Sequence, residues 1–112
     1  MKKFEYRAPR FAVDLPARLT IKDLTVSARC REISKDGMTL ELLQPLPPNS
    51  LGTVSVSYKD WTIGLQARVA HVGATQCGLE FIYESEAERK VVAHFVASLA
   101  SVQSRPGPVR LS

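Results

Sequence analysis

Two short polar segments of this 112-residue chain carry the side chains best suited to binding chemistry. Arg7 and Arg10 precede the first apolar alternation, and Glu32, Ser34 and Gly37 lie between two later ones. A guanidinium is a planar fork that grips phosphate bidentately, stacks on a base or pairs with the O6/N7 edge of guanine. A carboxylate accepts from guanine's ring N–H and amino group, a serine adds a hydroxyl, and a glycine permits a tight turn. These residue types suit a compact ligand with several acceptors, such as a guanine nucleotide.

Each segment also has an ordinary structural interpretation. Arginines before a strand are often a solvated arm, and Asp36-Gly37 is a common hairpin signal. Arg29 and Arg31 share one face of a predicted strand, where they either extend a binding site or lie exposed, and exposure is favoured for at least one of them. The binding interpretation therefore depends on the order and spacing of both segments taken together.

Residues that commonly catalyse reactions are few and scattered. His71 follows a predicted strand and His94 lies within a predicted helix. The sequence contains no zinc-protease, nucleophile-elbow or P-loop motif. Since neither histidine has an evident partner, both are predicted to be structural or surface residues. We therefore expect a protein that is not an enzyme and has no catalytic residues.

The two cysteines, Cys30 and Cys77, lie far apart and outside any C-x-x-C pair. They predict neither a metal site nor a disulfide framework, and we expect buried, reduced thiols. No apolar run is long enough to span a membrane or to act as a secretory signal. The sequence thus predicts a cytoplasmic module with no metal and no membrane insertion.

The net charge is +4, from 15 basic and 11 acidic residues. Four of the basic residues lie near the chain ends, so the remainder is balanced, although the first third keeps a basic excess. Such a cluster suits a compact anionic ligand at least as well as a long polyanion. A barrel that binds single-stranded nucleic acid also needs exposed aromatic side chains, and only 7% of the residues are aromatic. We expect no DNA or RNA partner.

Six apolar–polar alternations with a period of two predict six β-strands. Short turns, including Lys59-Asp60, favour antiparallel pairing, and closure into a small barrel removes exposed edges. Pro16 cannot donate to a strand ladder, so it predicts an edge or a bulge. The predicted fold class is all-β (mainly β), a six-stranded antiparallel β-barrel. The strands are expected near residues 11–21, 26–30, 38–42, 54–58, 61–69 and 78–83.

One amphipathic helix is predicted over about residues 86–100, after a capping-box pattern at Ser85 and Glu88. We expect a flexible arm over residues 1–12, the barrel with its helix over residues 13–100, and a mobile tail over residues 101–112. The apolar residues that repeat at helical spacing and are expected to face the barrel are Val91, Val92, Phe95, Val96 and Leu99.

The order of these segments resembles a PilZ domain over about residues 5–100. The resemblance rests on the arginine arm, the strand over residues 11–19, the run E-I-S-K-D-G-M-T-L over residues 32–40 and G-L-E-F over residues 78–81 before a helix. It implies a six-stranded barrel that binds the bacterial second messenger cyclic di-GMP. The family binds this ligand through R-x-x-x-R on the arm and (D/N)-x-S-x-x-G on the barrel.

Two positions of this sequence depart from those motifs. Arg10 matches the second arm arginine, and the serine and glycine of the barrel motif are both present. Tyr6 stands where the first arm arginine would fall, with Arg7 one place later, and Glu32 stands at the Asp/Asn position. Tyr6 can stack on a guanine, and Arg7 can reach around in place of the first arginine. The ligand-binding residues that the resemblance implies are Tyr6, Arg7, Arg10, Glu32, Ser34 and Gly37.

Two functions of different classes follow from this resemblance. In the first, the chain is a cyclic di-GMP receptor whose arm orders on binding and signals to a protein partner in motility, pilus or exopolysaccharide control. In the second, it is a degenerate PilZ-like adaptor that binds a protein and no nucleotide, and the departures at Tyr6 and Glu32 favour it. Either function is compatible with a monomer or a homodimer.

Overall fold

The computed structural model describes residues 9–44 and 46–103 of the chain. Neighbouring strands pair antiparallel in the order β1-β2-β3-β6-β5-β4, and β4 pairs with β1 to close the barrel. The predicted fold is therefore confirmed, a closed six-stranded antiparallel β-barrel with one C-terminal helix. The elements are β1 (Phe11–Ile21), β2 (Leu24–Ile33), β3 (Gly37–Glu41), β4 (Leu51–Tyr58), β5 (Trp61–Val72), β6 (Gln76–Ile82) and α1 (Glu86–Gln103).

The barrel interior is filled by the inward residues of the alternations. Leu19, Cys30, Leu40 and Val56 are each at most 1% exposed. Burial of an aliphatic side chain of this size stabilises the fold by about 1.5–3 kcal/mol. Because the side-chain period of a strand is two, the polar residues between them form the outer surface, and any site on the barrel wall is built from them.

Helix α1 packs over one end of the barrel and begins at the predicted cap. The Ser85 hydroxyl accepts from the Glu88 N–H at 3.1 Å, and the Glu88 carboxylate accepts from the Glu84 N–H at 2.8 Å. Phe95 is fully buried and meets the Trp61 ring edge-on, with centroids 5.2 Å apart. The cap fixes the first turn of α1 after β6, and the contact of Phe95 with Trp61 fixes the middle of the helix against β5.

Two details of α1 differ from the prediction. The helix extends to Gln103 rather than to residue 100, because the sequence has no helix breaker before Pro106. Val91, predicted to face the barrel, is 48% exposed, whereas the other four members of the stripe are buried. At 3.6 residues per turn, Val91 lies about a quarter turn from the centre of that stripe. Within the described part of the chain, no helix is both long and apolar enough to cross a bilayer.

The irregularity predicted at Pro16 is present in β1. The register with β2 shifts between Ala12 and Leu15, and pairing with β4 begins only at Ala17. Pro16 therefore lies where β1 has no partner on its β4 side, and its missing N–H interrupts no ladder there.

Candidate ligand-binding groove

The outer faces of β2, β3, β6 and β5 form one open groove of about 1070 Å³. Four of the six predicted site residues line it, although they come from two distant segments of the sequence. The other two, Tyr6 and Arg7, lie outside the described residues. The polar and glycine residues that line the groove are Arg10, Glu32, Ser34, Asp36, Gly37, Thr39, Arg68, His71, Gly73, Gln76, Gly78, Glu80, Tyr83 and Arg89.

The strand register arranges the floor of the groove in two rows across the sheet. Each row contains a glycine that packs closely against a neighbouring strand, Gly37 against the Leu79 carbonyl and Gly78 against the His71 imidazole. One row joins Gly37, Glu80 and Arg68, and the other joins Glu32, Thr39, Gly78 and His71.

A bulge in β2 turns Glu32 toward the groove. The pairing with β3 shifts between Cys30 and Glu32, which leaves Arg31 as the extra residue. In an uninterrupted strand, Glu32 would share the inward face with Cys30. The bulge instead buries Ile33, which is 0% exposed, and leaves Glu32 half-exposed on the outer face. The carboxylate position predicted from the sequence therefore depends on this one irregularity.

Arg10 and Glu32 meet at the rim of the groove. Nη1 of Arg10 lies 3.4 Å from Oε1 of Glu32, and both side chains are about half-exposed. Such an exposed ion pair contributes only about 0–1 kcal/mol, so a ligand can replace it at little cost. The arrangement places a guanidinium and a carboxylate side by side at the rim.

Ser34 forms the turn between β2 and β3 and is 5% exposed. Its hydroxyl oxygen accepts from the Asp36 N–H at 3.0 Å, and its own N–H donates to the Gly37 carbonyl at 2.9 Å. The hydroxyl also donates to the Gly37 carbonyl, but the two oxygen atoms are 3.5 Å apart, which is long for a hydrogen bond. Ser34 thus shapes the turn in this state, and its weakly held proton can be redirected to a ligand.

Gly37 is required by the packing of the turn against β6. A Cβ atom at this position would lie 2.0 Å from the carbonyl oxygen of Leu79. The same turn is held to β6 by the Phe81 N–H, which donates to the Asp36 carbonyl at 2.9 Å. Any side chain at position 37 would therefore push the turn, with Ser34, away from the barrel.

The far wall of the groove is formed by Arg68 and His71 of β5. Arg68 donates to the Asn49 side chain at 2.9 Å and also to the Glu80 carboxylate, so its position is fixed. His71 lies against the backbone of Gly78, where an added Cβ would come within 3.3 Å of the imidazole Cδ2. Both were outside the predicted site, His71 having been interpreted as a structural or surface residue.

Tyr83 and Arg89 form the end of the groove next to α1. The Tyr83 hydroxyl donates to the Lys35 carbonyl, and the Arg89 guanidinium lies over the Tyr83 ring, 4.5 Å from its centroid. Burial raises the pKa of the Tyr83 phenol to about 12, so it remains a neutral donor at physiological pH. Tyr83 therefore joins the β2–β3 turn to the first turn of the helix.

Sequence reasoning missed three groove residues, namely Arg68 of β5, Tyr83 directly after β6 and Arg89 of α1. Strand parity places Arg68 on the outer face, but parity does not say which face carries the site. Tyr83 and Arg89 lie in a strand end and a helix start, whose relative positions depend on the closed barrel. The sequence therefore indicates that these side chains are exposed, but it does not indicate that they lie close to the β2–β3 turn.

Arg29 and Arg31, the candidates for extending the site, do not line the groove. Both pair with Asp14 of β1, at 2.8 and 3.1 Å, and Arg31 also lies 3.7 Å from Glu41. The hydrogen bond from Arg29 is the main cause that lowers the pKa of the Asp14 carboxyl. These arginines are exposed strand residues that belong to a separate surface ion-pair cluster.

The cysteines are free and buried, as predicted. Burial raises the pKa of the Cys30 thiol to about 12 and also raises the pKa of Cys77. Thiols with such pKa values are poor nucleophiles at neutral pH. Across the described ranges, no cluster of three or more His, Cys, Asp or Glu side chains could hold a metal ion.

A family model described as the PilZ domain matches residues 5–98, which is most of the chain. A search of curated proteins found no significant match. The PilZ match covers both polar segments from which the binding site was predicted.

Solved structures with the same fold support this match. The PilZ domain of CeSA from a cellulose-synthesizing bacterium superposes with a TM-score of 0.75 at 14% identity, covering 83% of this chain and 99% of that one. The inhibitor of motility from Bacillus subtilis (MotI/DgrA) gives a TM-score of 0.74 at 13% identity, covering 94% of this chain and 56% of that one. An uncharacterized Legionella protein gives a TM-score of 0.63 at 16% identity, covering 86% of this chain and 98% of that one. At these identities the likeness is one of fold.

Proposed function

Because this chain belongs to the PilZ domain family, we propose that it is a receptor module that binds cyclic di-GMP in the groove and acts without catalysis. The observation that carries the proposal is the convergence of Arg10, Glu32, Ser34 and Gly37 on one concave surface. These residues come from both polar segments, and their chemistry suits a guanine nucleotide.

Each of these residues has a role that its position supports. Arg10, at the rim, binds a phosphate or the O6/N7 edge of a guanine through its guanidinium. Glu32, beside it, accepts from the ring N–H and amino group of a guanine. Ser34 supplies its hydroxyl proton, and Gly37 lets the turn that carries Ser34 pack closely against β6.

Signal output follows from how the arm attaches to the barrel. β1 begins at Phe11, immediately after Arg10, and a ligand bound to Arg10 therefore fixes the chain where the arm joins the sheet. The family role and the motility inhibitor among the structural neighbours favour a partner protein in motility, pilus or exopolysaccharide control. Ordering of the arm against the barrel would create the surface that this partner recognises.

A second candidate function is an adaptor that binds a protein and no nucleotide. The Arg10–Glu32 ion pair favours it, because Glu32 is one methylene longer than the family's aspartate and neutralises the arginine that would bind the ligand. In this case the groove would be a rigid recognition surface, and cyclic di-GMP would have no effect on the partner.

Calorimetric titration of cyclic di-GMP into the full chain separates the two functions. A receptor should show saturable binding that Arg10→Ala weakens about tenfold to a hundredfold, since one charge-assisted contact is worth about 1.5–3 kcal/mol. Cyclic di-AMP is the control for base recognition, and Arg18→Ala removes an equal charge outside the groove. Absence of heat at about 100 µM ligand, equivalent to binding weaker than about −5.5 kcal/mol, would reject the receptor and leave the adaptor.

A further inference from the structure

Arg89 reaches the groove from helix α1, outside both sequence motifs that predicted the site. It lies in the first turn of the helix, where its N–H donates to the Ser85 carbonyl at 3.2 Å. The Ser85–Glu88 cap holds this turn in place. Arg89 lines the same groove as Arg10 and the turn that contains Ser34, so the helix contributes directly to the surface.

The ring of Tyr83 supports the guanidinium of Arg89 from below. The two groups are 4.5 Å apart, measured from the guanidinium carbon to the ring centroid. Tyr83 is itself fixed by the hydrogen bond to the Lys35 carbonyl and by edge-on packing against Phe81 at 6.1 Å. A planar cation is thus held on a fixed aromatic surface at the end of the groove.

Arg89 remains accessible to a ligand, in contrast to Arg68 on the far wall. Arg68 donates to both Asn49 and Glu80, and its side chain is 37% exposed. Arg89 is 54% exposed, and its acidic neighbour is Glu86 at 3.7 Å, an exposed pair three residues apart on the helix. Such pairs contribute little, so the Arg89 guanidinium can contact a ligand without breaking a strong interaction.

We propose that the Arg89 guanidinium, supported by the Tyr83 ring, stacks against a base of the nucleotide bound in the groove. This inference rests on the proposed receptor function and adds a contact from α1 to it. A guanidinium plane that already covers an aromatic ring has its opposite face free for a second flat group. The bound base would then connect the β2–β3 turn, through Tyr83 and Arg89, to the first turn of α1.

The test is a set of titrations of cyclic di-GMP into the full chain and three variants. Arg89→Ala and Arg89→Lys should each bind about tenfold more weakly, equivalent to about 1.4 kcal/mol, because lysine keeps the charge and loses the plane. Lys90→Ala is the matched control, since it removes the same charge from the neighbouring exposed residue, which does not line the groove. Its affinity should remain within about twofold of the wild-type value.

A second readout separates a ligand contact from a structural role. Hydrogen exchange at the first-turn amides of α1 should slow when cyclic di-GMP saturates the wild-type chain, and this protection should disappear in Arg89→Lys at equal saturation. Unchanged exchange in all chains, or wild-type affinity in Arg89→Lys, would overturn the stacking contact.

The outcomes also distinguish this inference from the function on which it depends. If Arg10→Ala abolishes binding while both Arg89 variants bind like the wild type, the receptor function stands and the Arg89 contact is wrong. If the wild-type chain itself does not bind, the receptor function is rejected and the Arg89 contact is rejected with it.

Discussion

The two sides of the barrel follow the same alternation and yet present different surfaces. On the groove side, the β2–β3 and β5–β6 pairings both shift register. On the opposite side, β1 and β4 pair without a shift from Ala17 onward, as do β4 and β5 throughout. Small hydroxyl residues cover that side, as in the contact of Ser57 with Thr62 at 2.7 Å.

This difference shows how a binding surface arises on an ordinary barrel. Regular pairing produces a flat, evenly covered wall, because each outward side chain has a neighbour on the next strand. A bulge redirects one side chain, as at Glu32, and so places a charged group at the edge of the groove. We expect substitutions on the groove side to have larger effects than the matched substitutions on the opposite side.

The largest contrast is expected between two glycines. Gly37→Ala should destabilise the fold by about 3 kcal/mol, because the new Cβ would lie 2.0 Å from the Leu79 carbonyl oxygen and the backbone must shift. Gly64→Ala on the opposite side should change stability by less than about 1 kcal/mol, since its nearest neighbour is 3.7 Å away. Urea denaturation of both variants measures the two values, and equal effects would show that the groove does not depend on close packing at Gly37.

A smaller contrast is expected between two serines that each make a hydrogen bond. Ser34→Ala should cost about 1–2 kcal/mol in stability, because the Asp36 N–H loses its acceptor in a part-buried hydrogen bond. Ser57→Ala removes an exposed hydroxyl contact and should cost less than about 0.5 kcal/mol. Thermal unfolding followed by circular dichroism gives both values, and a larger loss in the Ser57 variant would contradict the assignment of Ser34 as the residue that shapes the turn.

The smallest effect concerns pH and the ion-pair cluster outside the groove. The pKa of Asp14 is lowered in the folded chain, mainly by its hydrogen bond from Arg29, relative to an ordinary value of 3.8. A lowered folded pKa stabilises the protein above the ordinary value, and this stabilisation disappears as the pH falls through the folded value. Asp14→Asn should therefore slightly lower the melting temperature at neutral pH, and this difference should shrink as the pH is lowered below 3.8. Unchanged affinity for cyclic di-GMP in this variant would confirm that the cluster is separate from the groove.

Much of this molecule was predictable from local patterns. The alternation along β1, the Lys59-Asp60 turn and the Ser85–Glu88 cap are each decided by residues close together in the chain. The positions of Ser34 and Gly37 were predictable for the same reason, since a turn with a serine acceptor and a glycine is a local structure. Val91 was placed wrongly because spacing alone does not mark the limit of the buried stripe.

The sequence by itself therefore determined the strand count, the C-terminal helix and the two polar segments that form one side of the groove. Tertiary structure decided that Arg68, Tyr83 and Arg89 join them, because only barrel closure brings β5, β6 and α1 beside the β2–β3 turn. It also decided the orientation of Glu32. Strand parity alone would place Glu32 on the inward face with Cys30, and the bulge formed by pairing with β3 places it on the outer face. Local periodicity thus specifies which residues face outward along each regular strand, and strand pairing specifies which of them meet.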